Sequence, residues 1–276
     1  MTVLVTGSRG AVARALIGLL RERALPVRVA SSRPDGPDTV RCDLTDPSTF
    51  AAALKGVTSV FLYANPSYAE AFAEEAVRAG VEHIVLLSSS SVLAPDAGDS
   101  PVAKSHLDVE RALDASSVRS TSLRPGSFAG NALAWSRSVR SGRPISLPFP
   151  GSHSDPIHES DIAEAALAVL ADPGLGGRPY TLTGPESLTF AEQIGILSRM
   201  TGRPVPFREV TREEWKRETA GYIPAPYADS LLDWWQSCDG RPVELTRAVP
   251  ELTGHPARTF ATWARDHAGD FRADRP

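Results

Sequence analysis

The chain of 276 residues has few cysteines, no long apolar run and no cysteine–histidine pattern of a zinc site. Its two cysteines, Cys42 and Cys238, cannot form a disulfide framework or a four-ligand zinc site. His153, Asp155 and His158 lie close in sequence, but no further ligand has suitable spacing, so no metal site is predicted. No apolar run reaches the roughly 18 residues that a membrane-spanning helix requires, so no contact with a membrane is expected.

The chain also lacks an excess of basic charge. Its 29 basic and 33 acidic residues give a net charge of −4, which provides no positive field for nucleic acid. Hydrophobic residues make up 42% and charged residues 22%, which excludes wholesale disorder and is typical of a globular protein. The strand-like run Val3–Val5 leaves no room for a signal peptide, so we expect a cytoplasmic protein. Arginine-rich, lysine-poor usage indicates a GC-rich bacterial genome.

Strand-like and helix-like segments alternate through the first half. Apolar runs predict strands at Val3–Val5, 27–30, 39–42, Ser59–Tyr63, His83–Leu87 and 120–123. Segments with helical spacing of apolar residues separate them, beginning with 11–23. Strand and helix alternating at this period predict an α/β fold with a Rossmann-type, doubly wound parallel sheet.

The second half has more proline and tryptophan and shorter strands. We assign residues 1–127 to a dinucleotide-binding domain, to which later segments at about 145–170 return. Residues 128–276 are assigned mainly to a smaller C-terminal α/β substrate lobe. The length, about two domains or one domain with a lobe, agrees with this division.

The link between the first strand and the first helix carries the strongest motif. It reads Thr6-Gly7-Ser8-Arg9-Gly10-Ala11-Val12-Ala13. Glycines let the backbone turn sharply and approach a pyrophosphate, and the free N–H groups of a helix N-terminus attract its charge. The position of this loop in a βαβ pattern favours a dinucleotide site over a simple tight turn.

The end of the second strand selects between NAD and NADP. An NAD site has an acidic residue there, which accepts hydrogen bonds from the ribose 2′-hydroxyl. This chain reads Ala30-Ser31-Ser32-Arg33, without an acid. Arg33 is able to pair with a 2′-phosphate, and Ser31 or Ser32 to hydrogen-bond it, so NADP(H) is the predicted cofactor. The alternative is that Arg33 is a solvated loop charge.

Four segments resemble the NmrA-like group of atypical short-chain dehydrogenases/reductases. One is the glycine loop, and the second is Cys42-Asp43-Leu44-Thr45-Asp46 after the third strand. The third is the helix 106–113, with its glutamate, and the following strand that ends in Leu-Arg-Pro-Gly. The fourth is Ile157-His158-Glu159-Ser160-Asp161-Ile162-Ala163. The resemblance covers nearly the whole chain and implies the fold more firmly than the reaction.

The resemblance implies cofactor contacts at the C-terminal ends of the strands, where open α/β sheets bind ligands. The pyrophosphate is expected on Gly7, Ser8, Arg9, Gly10, Ala11 and Val12, and the 2′-phosphate on Ser32 and Arg33. The adenine is expected between Asp43 and Leu44. The ribose and nicotinamide are expected along Tyr63, Ala64, Asn65, Ser88, Ser89 and Pro125.

Typical members of the wider superfamily carry a Tyr-x-x-x-Lys pair, whose lysine lowers the pKa of the tyrosine. In this chain the two positions are Val102 and His106, so the machinery for alcohol and ketone chemistry is absent. His106, Lys104 and Tyr63 are the candidates for moving a proton. Their alternative roles are a structural histidine, a solvated lysine and a packed tyrosine.

We therefore expect an NADPH-dependent oxidoreductase that transfers a hydride to a conjugated acceptor, such as a quinone or an enone. Such an acceptor stabilises the resulting anion itself, so the protein supplies orientation and a dry cleft. One alternative is an NADP(H)-binding redox sensor without turnover, and another is a redox-neutral cyclase, dehydratase or isomerase. The expected partners are a small-molecule substrate and either none or one further copy of the chain. Tyr222, Tyr227, Trp234 and Trp235 either wall a flat substrate or belong to a core or an interface.

Overall fold

The computed structural model describes residues 1–34 and 36–272. Its strands are β1 (Val3–Val5), β2 (Val27–Ser31), β3 (Thr39–Arg41), β4 (Ser59–Tyr63), β5 (His83–Leu87), β6 (Arg119–Pro125), β7 (Ile145–Leu147), β8 (His153–Ser154), β9 (Tyr180–Leu182), β10 (Leu188–Thr189) and β11 (Phe207–Glu209). Its α-helices are α1 (Ala11–Glu22), α2 (Phe50–Leu54), α3 (Ala69–Arg78), α4 (Pro101–Asp114), α5 (Ser136–Ser141), α6 (Glu159–Ala171), α7 (Phe190–Thr201), α8 (Arg212–Thr219), α9 (Ala225–Ser237), α10 (Ala248–Thr253) and α11 (Phe260–Asp266). In these described ranges no helix combines the length and the apolar character needed to cross a membrane.

Seven strands form one parallel sheet in the order β3-β2-β1-β4-β5-β6-β9. The strand order reverses between β1 and β4, and ligands of doubly wound sheets bind at the carboxyl ends of strands at such a point. The predicted α/β, Rossmann-type fold is confirmed. Small two-stranded sheets, β10 with β8 and β11 with β7, lie outside the main sheet.

The central strands β1, β4 and β5 are buried on both faces except at Tyr63, which explains why they are nearly continuous apolar runs, whereas β3 and β6 carry exposed and half-buried residues. On one face, side chains such as Leu4, Val60 and Ile84 pack with Phe50 of α2 and Phe72 of α3 in a single cluster. The rings of Phe50 and Phe72 meet edge to face at 5.1 Å. Helix α1 packs against α6, and α6 also contacts α10.

The chain divides into two compact units. The first contains Met1–Pro125, Glu159–Leu182 and Ala248–His255, and the second contains Gly126–His158, Thr183–Arg247 and the described part from Pro256 on. From the sequence, the segment of the second half that rejoins the first domain was expected at about 145–170. In the structure, the later segments that belong to the first unit begin at Glu159. The apolar spacing of a segment predicts a helix but does not say which of two cores the helix joins.

The second unit has its own apolar cores. Phe260 and Trp263 of α11 pack with Ile194 and Leu197 of α7, and a smaller cluster surrounds Trp215. Helix α7 begins with a capping box, in which Thr189 and Glu192 hydrogen-bond each other's backbone N–H groups. A short 3-10 segment, Ala129–Trp135, runs directly into α5.

Candidate active site

The loop between β1 and α1 turns sharply at Gly7, whose φ is +61°. Residues with a side chain are strained at this φ, and a Cβ at this position would also lie 3.2 Å from the Cβ of Tyr63. The N–H of Gly10 closes the turn by donating to the carbonyl of Gly7 at 2.9 Å. The backbone and the neighbouring side chain therefore both require glycine at position 7.

The N-terminus of α1 is open to an anion. Its N-cap residue, Gly10, provides no side-chain cap, and the first turn of this fully described helix contains no acidic residue. The first N–H groups therefore keep their partial positive charge, while buried Val12 and Ala13 hold the helix close to the sheet. This arrangement fits a pyrophosphate. The other predicted contacts of this loop are exposed or half-buried, namely Gly7, Ser8, Arg9 and Ala11.

Thr6 connects β1 to β4 directly beneath the glycine loop. Its buried hydroxyl donates to the carbonyl of Phe61 at 3.2 Å and accepts from the N–H of Tyr63 at 2.8 Å. These bonds fix the ends of the two strands between which the strand order reverses. Thr6 is part of the motif, but no spacing in the sequence signals this cross-strand role.

The end of β2 separates the two candidate serines. Ser31 is buried, and its hydroxyl accepts from the N–H of Arg33 and donates to the carbonyl of Arg33, both at 3.1 Å. Ser32 and Arg33 are exposed. Ser31 therefore shapes the turn, which leaves Ser32 and Arg33 as the polar side chains available to a ligand. Asp35, which follows in the same loop, lies outside the described residues.

Asp43 is held by the turn that follows β3. Its Oδ1 accepts from the N–H of Thr45 at 3.0 Å and from the hydroxyl of Thr45 at 2.7 Å. These bonds, with the positive charges of Arg41 and Arg33, hold the pKa of the carboxyl group below its usual range. Asp43 is thus ionised at neutral pH. Leu44, the other predicted adenine contact, is half-buried and packs on the core of the first unit.

The ends of β4 and β5 are built largely from turn-forming residues. The Oδ1 of Asn65 accepts the N–H two residues later at 3.0 Å, and the Oγ of Ser89 accepts the corresponding N–H at 3.2 Å. Ala64 packs against the core, while Tyr63 is 55% exposed. Of these predicted contacts, Tyr63 therefore offers the largest exposed surface. The side-chain oxygens of Asn65 and Ser89 already accept hydrogen bonds from backbone N–H groups.

A buried polar network joins the ends of β5 and β6 to α4. The hydroxyl of Ser88 donates to Oε1 of Glu110 at 2.5 Å. Arg124 donates to both carboxylate oxygens of Glu110, with Nε at 3.0 Å and Nη2 at 2.5 Å. Ser88 was predicted as a cofactor contact, but it is 2% exposed and its proton is directed at Glu110. Its role in the structure is to support the strand ends. Pro125, also predicted as a contact, is buried at the end of β6.

The two proton-transfer candidates on α4 have different surroundings. Lys104 is exposed and forms an ion pair with Asp108 at 2.5 Å. This arrangement agrees with the alternative role of Lys104, a solvated surface charge. His106 is half-buried, and among the described residues its buried Nδ1 has no hydrogen-bond partner. Burial lowers the pKa of His106, and the charge of Glu110 one turn later offsets only part of this. At neutral pH the imidazole is therefore neutral.

In the second unit, Asp155 lies against Gly126. Its Oδ1 accepts from the N–H of Ser127 at 2.9 Å, and a Cβ on Gly126 would lie only 1.9 Å from its Oδ2. Burial raises the pKa of Asp155 to about 6. His153 contacts Ser187 at 3.1 Å, so these neighbours in sequence have separate partners.

In the first unit, Asp161, Glu164 and His255 place possible ligand atoms within 4.8 Å of one another. The Nε2 of His255 lies 2.7 Å from Oε2 of Glu164, and this pairing explains the cluster without a metal. We therefore assign no metal to these residues.

A comparison with protein families matches residues 1–244 to the model of the NmrA-like family. The chain belongs to the NmrA-like family. The predicted membership is thereby confirmed. The match spans both the glycine loop of the first unit and most of the second unit, so family membership is not carried by the nucleotide-binding motif alone.

Curated relatives of this NmrA-like protein include two enzymes that are named as reductases. The "(4-alkanoyl-5-oxo-2,5-dihydrofuran-3-yl)methyl phosphate reductase" of Streptomyces griseus is 35% identical over 283 residues, covering 98% of this chain and 99% of that protein. An NAD(P)H azoreductase of Xenophilus azovorans is 32% identical over 288 residues, with the same coverage of both chains. These relatives confirm the prediction of an oxidoreductase at the level of the family.

Among solved structures, the fold is similar to that of the NADPH-dependent quinone oxidoreductase QOR2 of Escherichia coli, complexed with NADPH. The TM-score is 0.82 at 21% identity, and the match covers 97% of this chain and 100% of that chain. At this identity the similarity demonstrates the shared fold.

Proposed function

We propose that this NmrA-like protein reduces a conjugated small molecule with NADPH. The observation that carries the proposal is that the N-terminus of α1 is open and that the end of the neighbouring strand β2 presents Ser32 and Arg33, with no acidic residue at positions 31–34. A pyrophosphate fits the first feature and a 2′-phosphate fits the second.

The preference for NADPH over NADH rests on charge at the end of β2. An NAD site has an acid there, and positions 31–34 supply Arg33 instead. Asp43, whose carboxyl group is influenced by the charge of Arg33, already accepts a hydrogen bond from Thr45. The guanidinium of Arg33 is therefore available to a phosphate, and Ser31 fixes the backbone that carries it.

When bound, the nicotinamide supplies a hydride. We assign to His106 the role of stabilising the negative charge that forms on the acceptor. Its Nδ1 is buried and has no hydrogen-bond partner among the described residues. A neutral imidazole retains an N–H that hydrogen-bonds an anion, and its lowered pKa keeps it in that form. Because Val102 and His106 replace the tyrosine and lysine of the Tyr-x-x-x-Lys pair, we favour acceptors that stabilise their own anion over simple ketones.

The names of the relatives support this substrate class. An oxo-dihydrofuran, an azo compound and a quinone are all unsaturated acceptors. We therefore propose the class, a conjugated acceptor with an electron-poor double bond.

The first experiment is a calorimetric titration of the protein with NADPH, NADP⁺ and NADH. We expect NADPH to bind most tightly and Arg33→Ala to weaken it about tenfold, or roughly 1.4 kcal/mol, without changing NADH binding. Arg41→Ala, in the neighbouring strand, is the matched control. Equal loss for both nicotinamides, or an equal effect of Arg41→Ala, would contradict the assignment of Arg33.

The second experiment measures steady-state reduction of quinones and enones by NADPH. We expect His106→Leu to lower kcat by about 100-fold with the KM for NADPH unchanged. His106→Gln, which retains an N–H donor, should recover part of kcat. Lys104→Gln, on the same helix, should leave kcat unchanged. Tight NADPH binding without turnover on any acceptor would instead indicate a redox sensor. No nicotinamide binding would indicate a redox-neutral enzyme.

A further inference from the structure

The second unit contains a cavity of about 710 Å³ that lies entirely within that unit. Its volume is in the range of sites that enclose ligands of drug size. The walls come from the 3-10 segment, α5, β7, α7, α8 and α9. No role is assigned to this cavity by the nucleotide-binding motif, because the motif belongs to the first unit.

One wall of the cavity is a continuous series of aromatic rings. Trp135 meets Phe190 at 6.0 Å, Phe190 meets Trp235 at 5.2 Å, and Trp235 meets Trp215 at 5.0 Å. Each pair is edge to face, with planes at 78° to 84°, so successive rings hold each other in place. Such a wall is rigid and apolar, and it suits a flat conjugated ligand.

The cavity is also lined by arginines. Arg208 is neutralised by Glu214 at 2.7 Å and by Glu218. Arg137 and Arg143 differ, because no acidic residue among the described residues forms an ion pair with either of them. Arg137 and Arg143 thus line the cavity without an ion pair among the described residues, and together with Arg208, Glu214 and Glu218 the local charges sum to +1.

Local structure fixes Arg143 at this wall. Helix α5 ends at Gly142, which has a φ of +65°, and the N–H of Arg143 donates to the carbonyl of Ser138 at 3.0 Å. The Nε of Arg143 donates to Oγ of Ser141 at 3.1 Å. The terminal Nη groups are left without a hydrogen bond within the described residues, and these are the groups that bind oxyanions in pairs.

We propose that this cavity binds a flat conjugated molecule with an anionic arm, and that Arg137 and Arg143 hold the arm. The aromatic wall accounts for the body of the ligand, and the two guanidinium groups that form no ion pair account for a phosphate, sulfonate or carboxylate. That this ligand is the acceptor to be reduced rests on the proposed function. The binding itself does not depend on it.

The test is a calorimetric titration of the whole protein with 2-naphthalenesulfonate and with neutral 2-naphthalenemethanol. We expect the sulfonate to bind at least tenfold more tightly at low salt and the difference to shrink as salt is raised. The double variant Arg137→Gln, Arg143→Gln should remove the difference and leave the binding of the neutral compound unchanged. Both residues are exposed, so the variant is expected to fold.

Arg140→Gln is the matched control, since Arg140 is on the same helix but does not line the cavity. Equal affinities for the two compounds in the unaltered protein, or an equal effect of Arg140→Gln, would overturn the proposal.

A separate kinetic comparison uses 1,2-naphthoquinone-4-sulfonate and 1,2-naphthoquinone with NADPH. Selective binding of the sulfonate without turnover of either quinone would refute the proposed function and leave the binding site standing.

Discussion

Tyr63 packs over Gly7 where β4 and β1 end, so that a Cβ on Gly7 would lie 3.2 Å from the Tyr63 Cβ. The same glycine has a φ of +61°. The loop that we assign to the pyrophosphate is thus fixed by its own backbone and by the side chain above it. Any residue other than glycine must move either the loop or Tyr63.

Gly7→Ala is therefore expected to weaken NADPH binding by at least tenfold. The substitution also costs about 1–2 kcal/mol of folding stability, because an alanine in the left-handed region is strained. Calorimetry with NADPH measures the first effect, and urea denaturation measures the second. The binding loss is expected from displacement of the N–H groups that we assign to the pyrophosphate.

Gly56→Ala separates the two effects. Gly56 has a φ of +72°, and a Cβ there would meet nothing within 4 Å. We expect a comparable loss of stability from backbone strain, about 1–2 kcal/mol, and unchanged NADPH binding. If Gly7→Ala binds NADPH as well as Gly56→Ala does, the glycine loop is not the pyrophosphate site.

The pair of Glu110 and Arg124 is expected to stabilise the ends of β5 and β6. Glu110→Ala leaves the guanidinium of Arg124 without its carboxylate and should lower the free energy of unfolding by about 3 kcal/mol. Ser88→Ala, which removes one hydrogen bond to Glu110, should cost about 1 kcal/mol. Urea denaturation followed by circular dichroism measures both.

The exposed pair of Lys104 and Asp108 on the same helix is the control. Lys104→Ala should change the free energy of unfolding by less than about 0.5 kcal/mol, because exposed ion pairs contribute little. A cost for Glu110→Ala no larger than this would mean that the network does not support the strand ends.

The contrast between these two pairs shows what the sequence was able to predict. The spacing of Lys104 and Asp108 is that of neighbours on a helix surface, so their ion pair is visible in the sequence alone. Glu110 meets Ser88 and Arg124 only because α4 packs where β5 and β6 end, and no local spacing encodes that meeting. Ser88 was for this reason placed at the cofactor, although its hydroxyl is directed at Glu110.

The sharp turn of the glycine loop was predictable because glycine positions report backbone conformation directly. The meeting of the strand ends at one edge was predictable because the strands of a doubly wound sheet run parallel. The exposure of individual side chains was not predictable in this way. Ser31 and Ser32 are adjacent and chemically identical, and only the turn after β2 buries one and exposes the other.

His83 makes the stability of the first unit depend on pH. Burial lowers its pKa from 6.5 to about 4, and its Nε2 lies 2.9 Å from Oγ1 of Thr121. Between these two pH values the unfolded chain binds a proton that the folded chain does not. Stability contributed by the neutral ring is therefore complete above pH 6.5 and is lost as the pH falls to about 4, by roughly 3 kcal/mol.

His83→Gln isolates this contribution, since glutamine has no titration in that range. The difference in unfolding free energy between the unaltered protein and the variant should rise between pH 4 and pH 6.5 and level off above. Asp155, whose pKa is raised to about 6, changes stability in the opposite sense but is present in both proteins. A pH-independent difference would show that His83 titrates normally in the folded state.

Gly126 and Asp155 are expected to be energetically coupled. A Cβ on Gly126 would lie 1.9 Å from Oδ2 of Asp155, so Gly126→Ala must displace the carboxyl group and its bond to the N–H of Ser127. We expect a loss of about 1–3 kcal/mol, as for other overpacked sites. Asp155→Ala removes the obstacle, so the double variant should lose at least about 1 kcal/mol less than the two single losses combined.

Gly130→Ala, where a Cβ would meet nothing within 4 Å, should show no coupling to Asp155→Ala. Additive losses in urea denaturation for Gly126→Ala and Asp155→Ala would mean that the loop relaxes freely and that Asp155 does not hold it.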